Sequence, residues 1–563
     1  SSAASDVYKR QALATAQRAG RAWGERPAAE RAAILRRVGV VLGLKRAELL
    51  EVMASEAGKL LDQGDPEVSE AIDFANYYAQ LAEELERVDG AQFHPVDVTL
   101  VTPPWNFPVA IPTGSALAAL AAGSAVIFKP AAEAQRCGAV IAEALWEAGV
   151  PREALQLVQV DEKAHGRQLV SAPEIDRVIL TGAYETAELF RSFRPDLQLF
   201  GETSGKNSII VTPHADLDLA VKDVVQSAFG HAGQKCSAAS TVILVGTAAT
   251  SRRFRNQLVD AVRSLHVAHP EDITAQMGPV IAAPEGKLLR GLTQLGEGEH
   301  WVIEPRQLDE TGKLWSPGVR AGVRPGSEYH LTEYFGPILG VMTAETLEEA
   351  IELQNAPEYG LTAGLHSLNS EELALWLDRV QAGNVYVNRG ITGAIVRRQS
   401  FGGWKKSSVG TGTKAGGPSY LMALGEWTSR PSTAIATPSA EPVKELLRRV
   451  REPHALSAVQ REFLTRATSS DAAAWAAEFG LGHDPSQLGV ERNILRYVPQ
   501  PVHVRADADA DLAHTLRVLA AGLAAGAPIT FSTARPVPVS VAGALEQAGG
   551  GGAPESDGAR RGD

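Results

Sequence analysis

The stretch 98–130, VTLVTPPWNFPVAIPTGSALAALAAGSAVIFKP, decides the fold. VTLVT is β-branched and apolar and reads as a strand, PTGSALAALAAG as a helix of small residues, and AVIFK as a second strand. The pattern then continues through the helix RCGAVIAEALWEAG, the strand LQLVQV, the strand DRVILTG and the helix YETAELFRSF. Repeated strand and helix units of this length imply an α/β fold, with a parallel, Rossmann-like sheet covered on both faces. No GxGxxG fingerprint accompanies it. The run Ala110 to Phe128 approaches bilayer length, but Pro112, Gly114 and Gly123 and its small residues make it a loop, a helix and a strand rather than a membrane span.

Upstream, from Ala12 to about Glu86, apolar positions recur at three and four (Ile34, Leu35, Val38, Val41, Leu42), which predicts scaffold helices. Downstream, a second α/β unit starts at Ser208 with IIV and the helix DLAVKDVVQSAFG. It continues through the strand-rich LTEYFGPILGVM and AGNVYVNRG and the helices LEEAIELQN and SEELALWLDRV. The expected division is an α/β unit over 1–203, a second over 204–405, a Gly-rich loop and strand over 406–430, and a Pro/Ser/Thr linker over 431–442; the family that the motifs below resemble implies that the first three are a cofactor-binding domain, a catalytic domain, and a closing loop with a pairing strand. A C-terminal α/β region over 443–545 and a disordered Gly-rich tail over 546–563 complete it. Within the C-terminal region, DLAHTLRVLAAGLAAGAPITFSTARP echoes PTGSALAALAAGSAVIFKP as a degenerate second copy without PWN or the Lys.

The 563 residues suit two or three domains, and a net charge of −12 argues against non-specific binding to nucleic acid or anionic membrane. Two cysteines make no disulfide framework, so a reducing cytoplasm is the default and Cys137, inside a helix, is structural. No spacing suggests a metal site. The chain opens SSAASDVYKRQ, with neither an initiating Met nor a signal pattern, and is expected to be a fragment or processed chain.

The stretch Leu199 to Ala238 carries chemistry. It holds Glu202 in GETSGKN and Cys236 in GQKCSA. A thiolate attacks a carbonyl carbon, and a carboxylate that activates water hydrolyses the resulting thioester. On residue type alone, a lone Cys among Gly and Ser is more often a small packing residue.

GETSGKN and GQKCSA, with PPWNFP (Pro103 to Pro108), IFKP (Ile127 to Pro130), ILTG (Ile179 to Gly182) and EYFGP (Glu333 to Pro337) in the same order, resemble the aldehyde dehydrogenase superfamily from about Ala12 to Trp427. The resemblance implies Cys236 as nucleophile, Glu202 as the base for hydrolysis, and Asn106 with the Cys236 backbone N–H as oxyanion donors. Without it, Asn106 is an ordinary turn residue between prolines. It also implies NAD as cofactor. Lys129 would reach the adenosine ribose and Glu333 the nicotinamide ribose, with Phe335 packed at that end. Thr181, Gly182 and Ala183 would open a helix toward the pyrophosphate, and Thr102, Pro104, Trp105 and Gly166 would complete the wall. Two departures bear on NAD over NADP: Ala132 and Ala183 replace a Glu and a Ser, with Glu133 one place later.

TGAIVRRQSFGGWKKSSVGTGTKAGGPSYL is similar to the branch that oxidises L-glutamate γ-semialdehyde, the open form of Δ1-pyrroline-5-carboxylate, in proline breakdown. That branch implies a substrate carboxylate held by Ser237 and the amides of Gly393 and Ala394, an aliphatic chain between Phe107 and Phe401, and Glu70 facing the ammonium. Glu70 is otherwise a solvated helix residue. Ser400 stands where the pattern has Pro, which questions the rigidity of the loop. The branch further implies a homo-oligomer, a flavin (FAD)-dependent proline dehydrogenase as upstream domain or partner, and an inert C-terminal domain. Only about 105 residues precede Asn106, so N-terminal strands are expected to be missing. Two other readings stay open: a carboxylated semialdehyde without an ammonium, such as succinate semialdehyde, and an inactive assembly fragment.

Overall fold

The computed structural model describes residues 2–160, 166–451, 456–534, 537–539, 542–543 and 555–556. The chain forms two compact units, one of Ser1–Arg87 with Phe93–Glu426, the other of Val88–Gln92 with Trp427–Asp563.

The first unit opens with helices Ser2–Gly24, Ala28–Leu44, Arg46–Ala57 and Leu61–Leu85. The second helix buries Ile34, Leu35, Val38 and Leu42 on one stripe, as the spacing of three and four requires. Two sheets follow. The first runs Ser408–Val409, Gln198–Glu202, Arg177–Thr181, Val98–Thr102, Ala125–Phe128, Leu155–Leu157 in spatial order. All its pairs are parallel except the first. The crossover helix Ala110–Ala121 is buried along nearly its whole length, and its Ala, Ser and Gly residues allow that close approach.

The second sheet runs Asn384–Val387, Thr362–His366, Asn207–Val211, Ala239–Val245, Ile338–Ala344, Gly318–Ala321, His300–Ile303, parallel except at its last pair. Its core joins Ile209, Ile210, Val242, Ile243, Leu339 and Leu365 to Phe229 and Trp376 from the covering helices. Buried on both faces, these strands read as continuous apolar runs.

Three local readings are corrected. LQLVQV pairs only over Leu155–Leu157. In LTEYFGPILGVM only the residues from Ile338 onward belong to a strand, which runs on to Ala344, because Phe335 is left-handed (φ 60) and Pro337 has no N–H to give a ladder. Ser400 does not loosen its loop. It is buried, its carbonyl accepts from Asn384 Nδ2 (3.0 Å) and its Oγ lies 3.5 Å from the Gly416 carbonyl.

The second unit holds a strand, helix, strand sequence, Val502–Ala506, Leu512–Ala524 and Ile529–Thr533, with the two strands parallel and the helix capped by Asp511. Helix Glu441–Arg449 begins inside the stretch read as linker, with Pro in its first turn where a missing N–H costs nothing. Asp89 also belongs to this unit. It accepts from Ser432 Oγ (2.6 Å), Thr433 Oγ1 (2.9 Å) and Ala434 N (2.9 Å), and these donors hold its carboxyl well below the usual range. The tail 546–563 lies outside the described residues, apart from Glu555–Ser556, which pair with Ser532 and Thr533.

Candidate active site

Parallel strands deliver their carboxyl ends to one edge of a sheet, where ligands of open α/β folds sit. Register pairs Glu202 with Thr181 and Leu180 with Thr102, and Lys129 follows Phe128 on the next strand. Glu202, Thr181, Thr102 and Lys129 therefore share one edge. Thr102 Oγ1 is turned into the sheet, donating to the Ile179 carbonyl (3.3 Å). Gly182 N donates to the Glu202 carbonyl (3.1 Å), and Ala183 caps helix Tyr184–Phe193 without a side-chain bond. Gly166 stands at the N-terminus of the short helix Arg167–Val170, and Ala132 and Glu133 are exposed on a turn past Lys129.

Cys236 follows a left-handed turn. His231, Ala232 and Gly233 have φ of 54°, 54° and 67°, a conformation that ordinary side chains adopt only when packing enforces it. Asn207 anchors the loop beyond it. Its Nδ2 donates to the carbonyls of Cys236 (2.7 Å) and Ala238 (2.9 Å), and its Oδ1 accepts from Thr362 N (3.0 Å). Gln234, two residues before the thiol, accepts at its carbonyl from Asn106 Nδ2 (3.1 Å) and reaches the Phe335 carbonyl through Nε2 (3.3 Å). The PWNFP loop, the nucleophile loop and the EYFGP loop are thereby joined. Trp105 meets Phe335 edge to face at 5.6 Å, and Pro104 lies half-buried beside them. Glu333 Oε1 accepts from Gly205 N (3.1 Å).

Burial dominates the electrostatics. It pushes the Cys236 thiol well up, helped by the Glu202 and Glu333 carboxylates and opposed by the N–H groups of Ser237 and Cys236. Burial raises Glu202 to about 8 against the attraction of Lys414, whose Nζ is held by the carbonyls of Gly383 (2.6 Å) and Gly402 (2.8 Å) and by Asn384 Oδ1 (3.1 Å). Glu70 is also raised to about 8, by burial and then by Glu67 and Glu202. It is half-buried rather than a fully solvated helix residue, and Glu202 is among the charges it feels. Cys137 is buried with a raised thiol, as a packing residue should be.

Of the other expected substrate contacts, Ser237 is buried and its carbonyl accepts from Thr362 Oγ1 (3.1 Å). Phe107 lies under the Lys59 ammonium (4.1 Å), and Phe401 forms a backbone bridge with Ala415. Gly393 (φ 80) is exposed with open space where a Cβ would be, and Ala394 follows it on a loop tied down by Ile391 N to Ser227 Oγ (3.0 Å). Tyr78 Oη accepts from Gly416 N (2.9 Å), so the helix carrying Glu70 meets this loop. Sequence reasoning gave no role to Lys59, Glu67, Asn207, Gln234 or Lys414. Asn207, Gln234 and Lys414 stood inside quoted motifs, whereas nothing local marks Lys59 and Glu67. Among the described residues no group of three or more His, Cys, Asp or Glu side chains could hold a metal ion, and no helix is long and apolar enough to cross a membrane.

The Asn106 carboxamide is bonded beside the Cys236 thiol, and the Glu202 carboxylate ends a strand of the parallel sheet and acts on that thiol. The chain belongs to the aldehyde dehydrogenase family, whose sequence profile matches residues 2–429. Among its relatives is the 1-pyrroline-5-carboxylate dehydrogenase of Geobacillus sp. (strain WCH70), 34% identical over 432 residues, 73% of this chain and 83% of that one. Among solved structures, Proline Utilization A (PutA) from Corynebacterium freiburgense superposes with a TM-score of 0.86 at 45% identity, over 97% of this chain. This chain spans only 56% of that longer protein. A 1-pyrroline-5-carboxylate dehydrogenase from Thermus with bound NAD matches at 0.71 and 32% identity, covering 76% of this chain and 85% of that one.

Proposed function

We propose that this chain oxidises L-glutamate γ-semialdehyde to L-glutamate with NAD, through a thioester on Cys236. The observation that carries the reading is the convergence of Cys236, Asn106 and Glu202, with a second carboxylate, half-buried Glu70, in the field of Glu202. The names of the relatives support the substrate.

The thiol first gives up its proton to water, and the N–H groups of Ser237 and Cys236 oppose the upward shift of the thiol. The sulfur then bonds to the aldehyde carbon, and the oxyanion is met by the Cys236 N–H and by the second N–H of Asn106 Nδ2, whose other N–H serves the Gln234 carbonyl. Lys129, Glu333 and the edge between them would hold NAD, which would supply the acceptor for the hydride that leaves this carbon. The cradle fits a dinucleotide: the edge is open at the N-terminus of helix Tyr184–Phe193, where Ala183 adds no side-chain bulk, and Trp105 and Phe335 form an aromatic corner beside Glu333. Glu202 next deprotonates water, which attacks the thioester; the C–S bond breaks and the carboxylic acid is released with the thiol restored. Ser237, Gly393 and Ala394 hold the substrate carboxylate, Phe107 and Phe401 flank its chain, and Glu70 pairs with its ammonium.

We also propose that the reaction works beside a flavin (FAD)-dependent proline dehydrogenase and in a homo-oligomer of the cytoplasm. One PutA neighbour is described as bifunctional, at 32% identity over 75% of this chain and 44% of its own. The test is NADH formation with L-glutamate γ-semialdehyde, succinate semialdehyde and an uncharged aliphatic aldehyde. The first is expected to be the best substrate. Equal efficiency with succinate semialdehyde overturns the substrate, and no NADH from any aldehyde overturns the activity.

A further inference from the structure

Directly before helix Leu61–Leu85, and inside its first turns, stand two buried charges that the reaction scheme leaves unused. Lys59 and Glu67 form an ion pair with side chains 0% and 1% exposed. Burying two charges costs several kcal/mol per ion before their attraction repays it, and an apolar pair of the same volume is often as stable or better. Stability alone is therefore a weak reason for the pair.

The remaining bonds of both side chains go to one segment. Lys59 Nζ donates to the Asn106 carbonyl (2.9 Å) and lies 4.1 Å from the Phe107 ring. Glu67 Oε1 accepts from Val109 N (2.7 Å) and Ala110 N (3.0 Å), at the start of helix Ala110–Ala121. The backbone from Asn106 to Ala110 is thus gripped at three points on either side of Phe107. Among the described residues, the Asn106 side chain is tethered by the bond from its Nδ2 to the Gln234 carbonyl (3.1 Å), which leaves the second N–H of that amide for an oxyanion.

We propose that Lys59 and Glu67 are a positioning pair that fixes the backbone of Asn106, so that its amide meets the oxyanion while the loop stays still. The inference rests on Asn106 as the oxyanion donor. The pair works as a clamp from below: the cation holds the carbonyl of the donor residue and the anion holds the amides three and four residues on. His231, Lys235 and Glu70 face the same charges from the nucleophile loop and the helix.

The test is a double-mutant cycle read by the pre-steady-state NADH burst, which reports thiol addition and hydride transfer. In Lys59→Met/Glu67→Gln the buried charges leave together and the Gln oxygen still accepts from Val109 and Ala110. The burst should slow roughly a hundredfold in the native background, with the KM for NAD unchanged. In the Asn106→Ala background the same double substitution should change it less than about twofold, because the loss is already taken. An undiminished burst in the native background, or equal losses in both backgrounds, overturns the positioning role and leaves the Asn106 assignment standing. A full burst in Asn106→Ala by itself overturns that assignment and the clamp with it. Should the double variant not fold, Lys59→Met alone, in which Glu67 Oε1 still accepts from Val109 N and Ala110 N, carries the same cycle.

Discussion

Glu70→Gln isolates the choice of substrate. At pH 7 a carboxyl with a pKa of about 8 is roughly 10% ionised, so pairing it with an ammonium first costs about 1.4 kcal/mol of ionisation. At pH 9 it is about 90% ionised and that cost is gone. The sign follows from the direction of the shift: the folded-state carboxyl is raised, neutral below 8 and charged above it, and only the charged form pairs. The quantity to measure is the ratio of kcat/KM for L-glutamate γ-semialdehyde to that for succinate semialdehyde, each referred to the open aldehyde. Contributions of Cys236 and Glu202 cancel in this ratio, because both substrates use them. The ratio should rise about tenfold from pH 7 to pH 9, the pH-dependent part of a pairing worth roughly 1 to 3 kcal/mol. Glu70→Gln should lower the ratio at pH 9 and flatten its pH dependence. A wild-type ratio that does not change with pH, or the same slope in the variant, would refute the pairing of Glu70 with the ammonium.

Cys236→Ala should abolish NADH formation yet retain NAD binding by fluorescence titration; residual turnover would remove the nucleophile. Glu202→Gln should give an NADH burst followed by a slow phase, and a single slow phase would count against Glu202 as the hydrolytic base. Lys414→Met removes the cation that opposes the upward shift of Glu202, so the pH midpoint of the slow phase, near 8 in the native chain, should move higher; an unchanged midpoint excludes that coupling. Gly233→Ala puts a Cβ against the Gly336 carbonyl oxygen at φ 67, and should lower Tm and activity together at a cost of about 1–3 kcal/mol or more, checked by thermal melts.

The sheet-forming half of the first unit was legible because its strands are β-branched runs and its crossover helix is a string of small residues, both local signals. The strand over LQLVQV shortened because only Leu155 is buried among the paired residues Leu155–Leu157. The left-handed turn before Cys236 could not be read, since His231 and Ala232 are ordinary residues whose φ is set by contacts made elsewhere. Cys236, Glu202 and Asn106 were named from their motifs, and what brings Asn106 to the Cys236 loop is a bond to Gln234 that no motif spells out. Lys59 and Glu67 were invisible for another reason: a charged pair near a helix start reads as surface until the loop at Asn106, far along the chain, covers it.

The bonds of Asp89 carry a consequence for how the molecule is made. Ser432 lies 343 positions further along the chain. At roughly 5–20 residues per second, ribosomal synthesis leaves Asp89 waiting on the order of a minute for its partners. Helix Leu61–Leu85 and strand Val98–Thr102, which flank it, belong to the other unit and are free to form during that time. Residues 88–92 must stay accessible throughout. Connectivity thus sets an order of assembly in which the second unit closes last, upon a segment synthesised well before its partners.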